Sequence, residues 1–402
     1  MCRLSAVSLC LLVAGATGLG FAAGRATGSA DWVDNLAPIS ASDWNHERAA
    51  HLLERAGFGG TPAEIEHLAA MSPAAAVAYL VDYDSIDASP LPPFDPSNIW
   101  DDAMLPDADR HLSFTDALRQ AYREGQVYGR KPAKKGPRPY QEIVNTLYTK
   151  YFASNREWDR IALWWANRML QTPRPLEEKM TLFWHGHFAT EERKDNDYRL
   201  MFQQNQTLRR LATGSFHDLL VAISQDPAML LYLDNRTNVK GRANENYARE
   251  IMELFALGVG NYTEPDIKEA ARALTGWRND GLRFISDPAL HDDGEKTIFG
   301  KKGKFDGYGL INVILEKPAC AEFISGKIYR FLVRDKISPE LNGKLAAVLR
   351  ENDYIFLGRS LCVHQRGDHH QRLGAETRLY DSNPRFSDRD VLRQPFVRFP
   401  IQ

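Results

Sequence analysis

Trp184-His185-Gly186-His187-Phe188, followed by Asn244-Glu245-Asn246-Tyr247-Ala248-Arg249-Glu250 and then Thr275-Gly276-Trp277, is the stretch on which the reading of this chain turns. Between Pro173 and Trp277 imidazoles, carboxylates, amides and large aromatic rings are concentrated inside an otherwise helical pattern. On a helix from Asn244 to Leu257, at about 100° per residue, Tyr247, Ile251 and Leu254 line one side, with Ala248, Met252 and Phe255 beside them. Asn246, Glu250 and Glu253 fall together on another face. One apolar side and one polar side describe a helix packed against a core.

The same pattern extends outward in both directions. Thr61-Pro62-Ala63-Glu64 has the capping hydroxyl, the first-turn proline and the reciprocal Glu of a helix start, and Ser72-Pro73 starts another helix directly after it. The segment Asp43 to Ala56 ends at Gly57, a natural C-cap. Further helices are expected over Phe114 to Glu124, Tyr140 to Leu170, Leu176 to Trp184, Tyr198 to Ala212, Phe216 to Gln225, Asp266 to Leu274, Ala319 to Val333 and Pro339 to Glu351. Only Leu282 to Ile285 and Thr297 to Phe299 have strand character. The fold class is therefore mainly α: a large multi-helix domain with at most one small β-hairpin.

Composition bounds the function. The chain has 402 residues, 44% of them apolar and 25% charged, with a net charge of -2. That balance is ordinary for a globular protein and gives no basic footprint for nucleic acid. The one basic run, Arg130 to Arg138, is interleaved with Gly and Pro and reads as a solvated loop.

Arg3 followed by the apolar, small-residue run Leu4 to Ala23 reads as a signal peptide over residues 1–30. A run rich in Gly, Ala, Ser and Thr favours export with cleavage over a retained membrane span, so a periplasmic or secreted location is expected. After cleavage only Cys320 and Cys362 remain, too few for a disulfide framework. Residues 31–354 form the helical domain, interrupted at 85–110 by a Pro-rich linker expected to run extended over the surface. Residues 355–402 contain no lysine, one Glu and a scatter of Arg, and read as an atypical tail, out of frame or disordered.

Several segments carry a resemblance to a known family. They are Leu52-Leu53-Glu54-Arg55-Ala56-Gly57-Phe58-Gly59, Pro175 to Met180 running into Trp184 to Phe188, Asp226-Pro227-Ala228-Met229-Leu230, the Asn244 to Leu257 helix, Ala271 to Trp277, and His291 to Thr297. From Ala50 to Asp353 the chain resembles the bacterial family called domain of unknown function 1800. The family usually has Asn where this chain has Gly186. The resemblance implies an exported or envelope-associated helical protein, often encoded beside another uncharacterised exported family, and carries no agreed activity.

Two chemistries fit the polar residues. If Gly186 breaks the helix, His185 and His187 can turn toward one point and hold a divalent metal such as zinc, iron or manganese, with Asp292, beside His291, as a further ligand. Glu250 would then serve as general base or fourth ligand, with Glu253 one turn away. If the helix continues, the two imidazoles sit about 200° apart and cannot share an ion. His187 is then a core histidine beside Met180 and Phe183, and Glu245 pairs with Arg249 along the helix. No Gly-x-Ser-x-Gly elbow and no His-Glu-x-x-His motif occurs, and Cys320 lies in an apolar helical pattern that makes it a buried hydrophobe. Two functions follow. One is a metal-dependent hydrolase acting on an envelope or extracellular substrate. The other is a non-catalytic helical scaffold or partner of an exported protein complex, in which the same residues form a buried polar network.

Overall fold

The computed structural model describes residues 38–97, 114–123, 139–191 and 197–356. The signal peptide, residues 98–110 of the Pro-rich linker, the basic loop and the tail from residue 357 lie outside the described residues.

Helix starts follow their caps. Thr61 accepts from the Glu64 amide while Glu64 accepts from the Thr61 amide, a capping box ahead of helix Pro62–Ala69. Thr263 and Asp266 do the same for Glu264–Ala273. Asn45, Ser72, Asp226 and Ser338 cap His46–Ala56, Pro73–Val81, Pro227–Tyr232 and Pro339–Glu351. In all but the first of these four, proline sits where its missing N–H costs nothing.

The core gathers around helix Pro175–His187. Its Leu176, Met180, Phe183 and Trp184 are buried against Leu208, Phe216, Tyr247, Ile251 and Phe255 from the surrounding helices. Trp184 is fully buried, and its indole N–H donates to the Ala212 carbonyl at 2.8 Å. Its ring lies 5.8 Å from Phe188 and from Phe216, and 5.1 Å from Phe356. Each such ring removed from water contributes about 1.5–3 kcal/mol, which makes this stack the anchor of the fold.

Phe356 reaches that stack because the chain closes with a short antiparallel bridge. The Phe216 amide donates to the Tyr354 carbonyl at 2.8 Å and the Phe356 amide to Gly214 at 3.0 Å. Ile355 and Phe356, read from sequence as the start of the tail, are thus part of the packed body.

The longest helix, Pro139–Gln171, has 33 residues. It buries Val144, Leu147, Ile161 and Trp165. The described part of the Pro-rich linker is not extended throughout, since the Leu91 amide closes a turn on the Ala88 carbonyl at 3.1 Å, and it is fastened to this helix: Trp164 Nε1 donates to the Pro92 carbonyl at 2.9 Å, and Phe94 packs edge-on against Trp164.

The expectation of at most one hairpin is corrected. Trp277–Asp280 pairs antiparallel with Arg283–Ser286, and Lys296–Ile298 with Lys301–Gly303, giving two separate hairpins among the described residues. Leu282 to Ile285 and Thr297 to Phe299 do not pair with each other because each strand finds a partner across its own tight turn. Gly281 has φ 56°, and Phe299 and Gly300 have φ 50° and 78°, the positive values that two-residue hairpin turns require. Among the described residues no helix is long and apolar enough to cross a membrane.

Candidate functional site

Helix Pro175–His187 runs unbroken through Gly186. Glu177 and Glu178 sit in its first turn, where carboxylates are favourable to the helix dipole, and His185 and His187 in its last. Because the helix does not break, His185 and His187 point about 200° apart. His185 is half-buried with its ring edge-on to Trp165 at 5.1 Å. His187 turns into the core, stacked on Phe183 at 5.9 Å.

Both ring nitrogens of His187 are engaged. Nε2 lies 2.9 Å from the Phe255 carbonyl oxygen, and Nδ1 lies 3.2 Å from Lys327 Nζ. A carbonyl only accepts and an ammonium only donates, so Nε2 carries the proton and Nδ1 accepts a hydrogen bond from Lys327. Burial, reinforced by the Lys327 charge, pushes the His187 pKa down to about 3. The imidazole is neutral and structural.

Asp292 and His291 are committed elsewhere. Arg272 clamps Asp292 with Nε at 2.8 Å and Nη2 at 3.2 Å, and the Gly294 amide adds a third donor at 3.0 Å. The Arg272 hydrogen bonds hold the Asp292 carboxyl down at about 2. His291 Nδ1 faces the Thr275 carbonyl at 3.0 Å, and the Asp292 amide donates to Thr275 Oγ1 at 2.7 Å. Lys296, fully buried, donates to the carbonyls of Asp292 and Gly294. These bonds fasten the loop between the hairpins to the end of helix Glu264–Ala273.

The expected convergence of His185, His187, Asp292 and His291 on one ion is therefore corrected. The helix sends the two imidazoles apart, His187 has both ring nitrogens engaged, and Arg272 and the Gly294 amide occupy the Asp292 carboxylate. Among the described residues no three His, Cys, Asp or Glu side chains are grouped to hold a metal.

The Glu250 and Glu253 pair is altered by a change of helix type. Asn246–Glu250 is α-helical, but Ile251–Ala256 forms a π-helix, closed by the Leu257 amide on the Met252 carbonyl at 2.9 Å. In an α-helix residues three apart lie about 60° apart, whereas the wider i→i+5 turn moves them toward roughly 110°. Glu253 accepts from Tyr262 Oη at 2.5 Å. Glu250 is half-buried, and burial followed by repulsion from Glu253 raises its pKa. The same widening corrects the helix face: Leu254, expected beside Tyr247 and Ile251, is 49% exposed, while Phe255 and Ala256 are buried. Arg249 pairs with Glu245 as expected from their spacing, at 3.4 Å, and more closely with Glu264 at 2.8 and 2.9 Å.

Three polar groupings have no counterpart in the sequence reading. An asparagine ladder joins the loop before Asn246 to the first hairpin: Asn235 Nδ2 donates to the Trp277 carbonyl at 2.8 Å, Asn238 Nδ2 to Ala271 at 2.8 Å, and the Asn244 amide to Asn238 Oδ1 at 2.9 Å. Beside it, Thr237, Arg242, Ala243, Asn244 and Glu245 line an open depression. Glu178, fully buried, is held by Arg168, Arg209 and the Trp165 indole, and these donors lower its pKa against the effect of burial. Asp226 is buried with one oxygen accepting from Gln204 Nε2 at 2.8 Å and from the Met229 amide at 3.0 Å. With no cation beside it, burial pushes its pKa up to about 7. The signals for these were weak: most of the partners are remote in sequence, and Asp226-Pro227 stands out only within a family-like segment. Cys320 is buried with its thiol pushed up to about 12, as its apolar context suggested.

Neither curated proteins nor solved structures gave a match to this chain. The family model described as "Protein of unknown function (DUF1800)" matches residues 51–361, which include the histidine helix, the asparagine ladder, the π-helix and both hairpins. The chain therefore belongs to the DUF1800 family.

Proposed function

We propose that this protein is a non-catalytic helical scaffold, a partner subunit of an exported complex, and that its polar signature residues fix how its helices pack. The observation that carries this reading is the hydrogen bonding of His187, whose two nitrogens are spent on Phe255 and Lys327 inside the aromatic core. Arg272 on Asp292 and the two arginines on Glu178 support it in the same way. Buried networks of this kind, with donors matched to acceptors, rigidify a core. Export rests on the Leu4 to Ala23 run. Elemental analysis of the purified mature protein tests the reading. It predicts no stoichiometric zinc, iron or manganese, with His187→Ala lowering thermal stability. Stoichiometric metal, lost from His185→Ala without unfolding, would contradict it.

A second reading keeps hydrolysis without the metal, with Glu250 as general base. It is favoured by the raised pKa of that half-buried carboxyl at the start of a π-helix, a geometry frequent at functional sites. Glu250→Gln would then abolish turnover of an envelope substrate while leaving the melting temperature unchanged, and an unchanged rate would dismiss it.

A further inference from the structure

We propose that this chain forms an antiparallel homodimer through an exposed stripe on helix Pro139–Gln171. Asn145, Thr149, Phe152, Arg156, Asp159, Leu163, Ala166 and Leu170 are all exposed. They are separated alternately by four and three residues, the interval that keeps side chains in line along one side of a helix facing another. The stripe is distinct from the face that buries Val144, Leu147, Ile161 and Trp165 in the body. Phe152, Leu163 and Leu170 are 51%, 64% and 77% exposed. Large apolar side chains held in line along one face offer apolar contacts to a facing helix.

The symmetry of the stripe identifies its occupant. The spacing reads the same in both directions about the midpoint between Glu157 and Trp158. A second copy of the helix, laid antiparallel about that midpoint, sets Phe152 against Leu163 of the second copy and Arg156 against Asp159 of the second copy. Thr149 meets Ala166 and Asn145 meets Leu170, and every pairing occurs twice. Self-complementarity of this kind is what a two-fold interface requires, since one surface must serve as both partners. A parallel pairing in register would oppose Arg156 to Arg156 and Asp159 to Asp159, so the charges select the antiparallel arrangement. The seam runs about 38 Å, at 1.5 Å per residue. Its mixed apolar and polar content suits a reversible dimer rather than an obligate one.

Sedimentation equilibrium on the full chain tests this, over about 1–200 μM, a range that brackets micromolar association. The wild type is expected to dimerise with concentration. Arg156→Asp and Asp159→Arg should each weaken the dimer by about tenfold or more, because like charges then face each other in both central layers. An equimolar mixture of the two variants should recover dimers, since each chain then meets the opposite charge at both layers. Circular dichroism and melting confirm that each variant is folded, and Leu163→Ser gives an independent apolar disruption. A wild type that stays monomeric throughout overturns the proposal. So does a dimer insensitive to all three substitutions, or a mixture that associates no better than either variant alone.

Discussion

At the residue scale the strongest commitments are those in which a single side chain has no alternative partner. His187→Ala removes a buried ring and leaves the Phe255 carbonyl and the Lys327 ammonium short of a partner. We expect a loss of about 2–4 kcal/mol in urea denaturation, combining the cavity and the unmet polar groups. Two glycines should respond in opposite directions. A Cβ on Gly307 would lie 2.2 Å from Trp277 Cζ2, so Gly307→Ala should cost about 3 kcal/mol through overpacking. A Cβ on Gly186 would meet nothing within 4 Å, so Gly186→Ala should stabilise by about 0.5–1 kcal/mol through helix propensity, read as a higher denaturation midpoint. His187 stood open in the sequence between a metal ligand and a core histidine, because its neighbours Met180 and Phe183 are local while Phe255 and Lys327, which engage its nitrogens, are not. The Gly307 contact was not legible, because Trp277 lies thirty residues away and nothing local records it.

At the scale of elements the caps were legible and the helix type was not. Thr61 and Ser72 are short-range hydrogen-bond motifs, readable from a few residues. The π-helix is invisible to a reading that assumes 3.6 residues per turn, and that assumption placed Leu254 inside. Helix Gly307–Leu315 has a weak signature in the sequence, because two glycines and three β-branched residues lower its helix propensity, and it is capped by Asp306. Asp266 shows how one element fixes another. It closes the capping box with Thr263, and its Oδ1 accepts from the Phe299 amide at the turn of the second hairpin. Asp266→Ala should therefore cost about 2–3 kcal/mol, against about 1 kcal/mol for Thr263→Ala, which removes the cap alone. Equal losses in chemical denaturation would mean that the hairpin does not depend on Asp266.

At the scale of the whole molecule, pH dependence follows from two opposed buried groups. The folded pKa of Asp226 is raised to about 7, so its contribution to stability is fully present below about pH 4 and is lost as pH rises through 7. The folded pKa of His187 is lowered to about 3, so its contribution is present above about pH 6.5 and is lost as pH falls through 3. The limbs oppose each other between about pH 4 and 6.5, where wild-type stability should vary little. Asp226→Asn removes one limb. Calorimetry should find it gaining stability relative to wild type at pH 8 more than at pH 5, and a pH-independent difference would show that Asp226 is not a buried acid. The scaffold reading rests most heavily on the state of His187. NMR of its imidazole nitrogens between pH 8 and 4, with and without one equivalent of zinc, measures that state directly. The account predicts a neutral ring with the proton on Nε2 throughout, unmoved by zinc. A titration near pH 6.5, or a zinc-dependent shift, would contradict it.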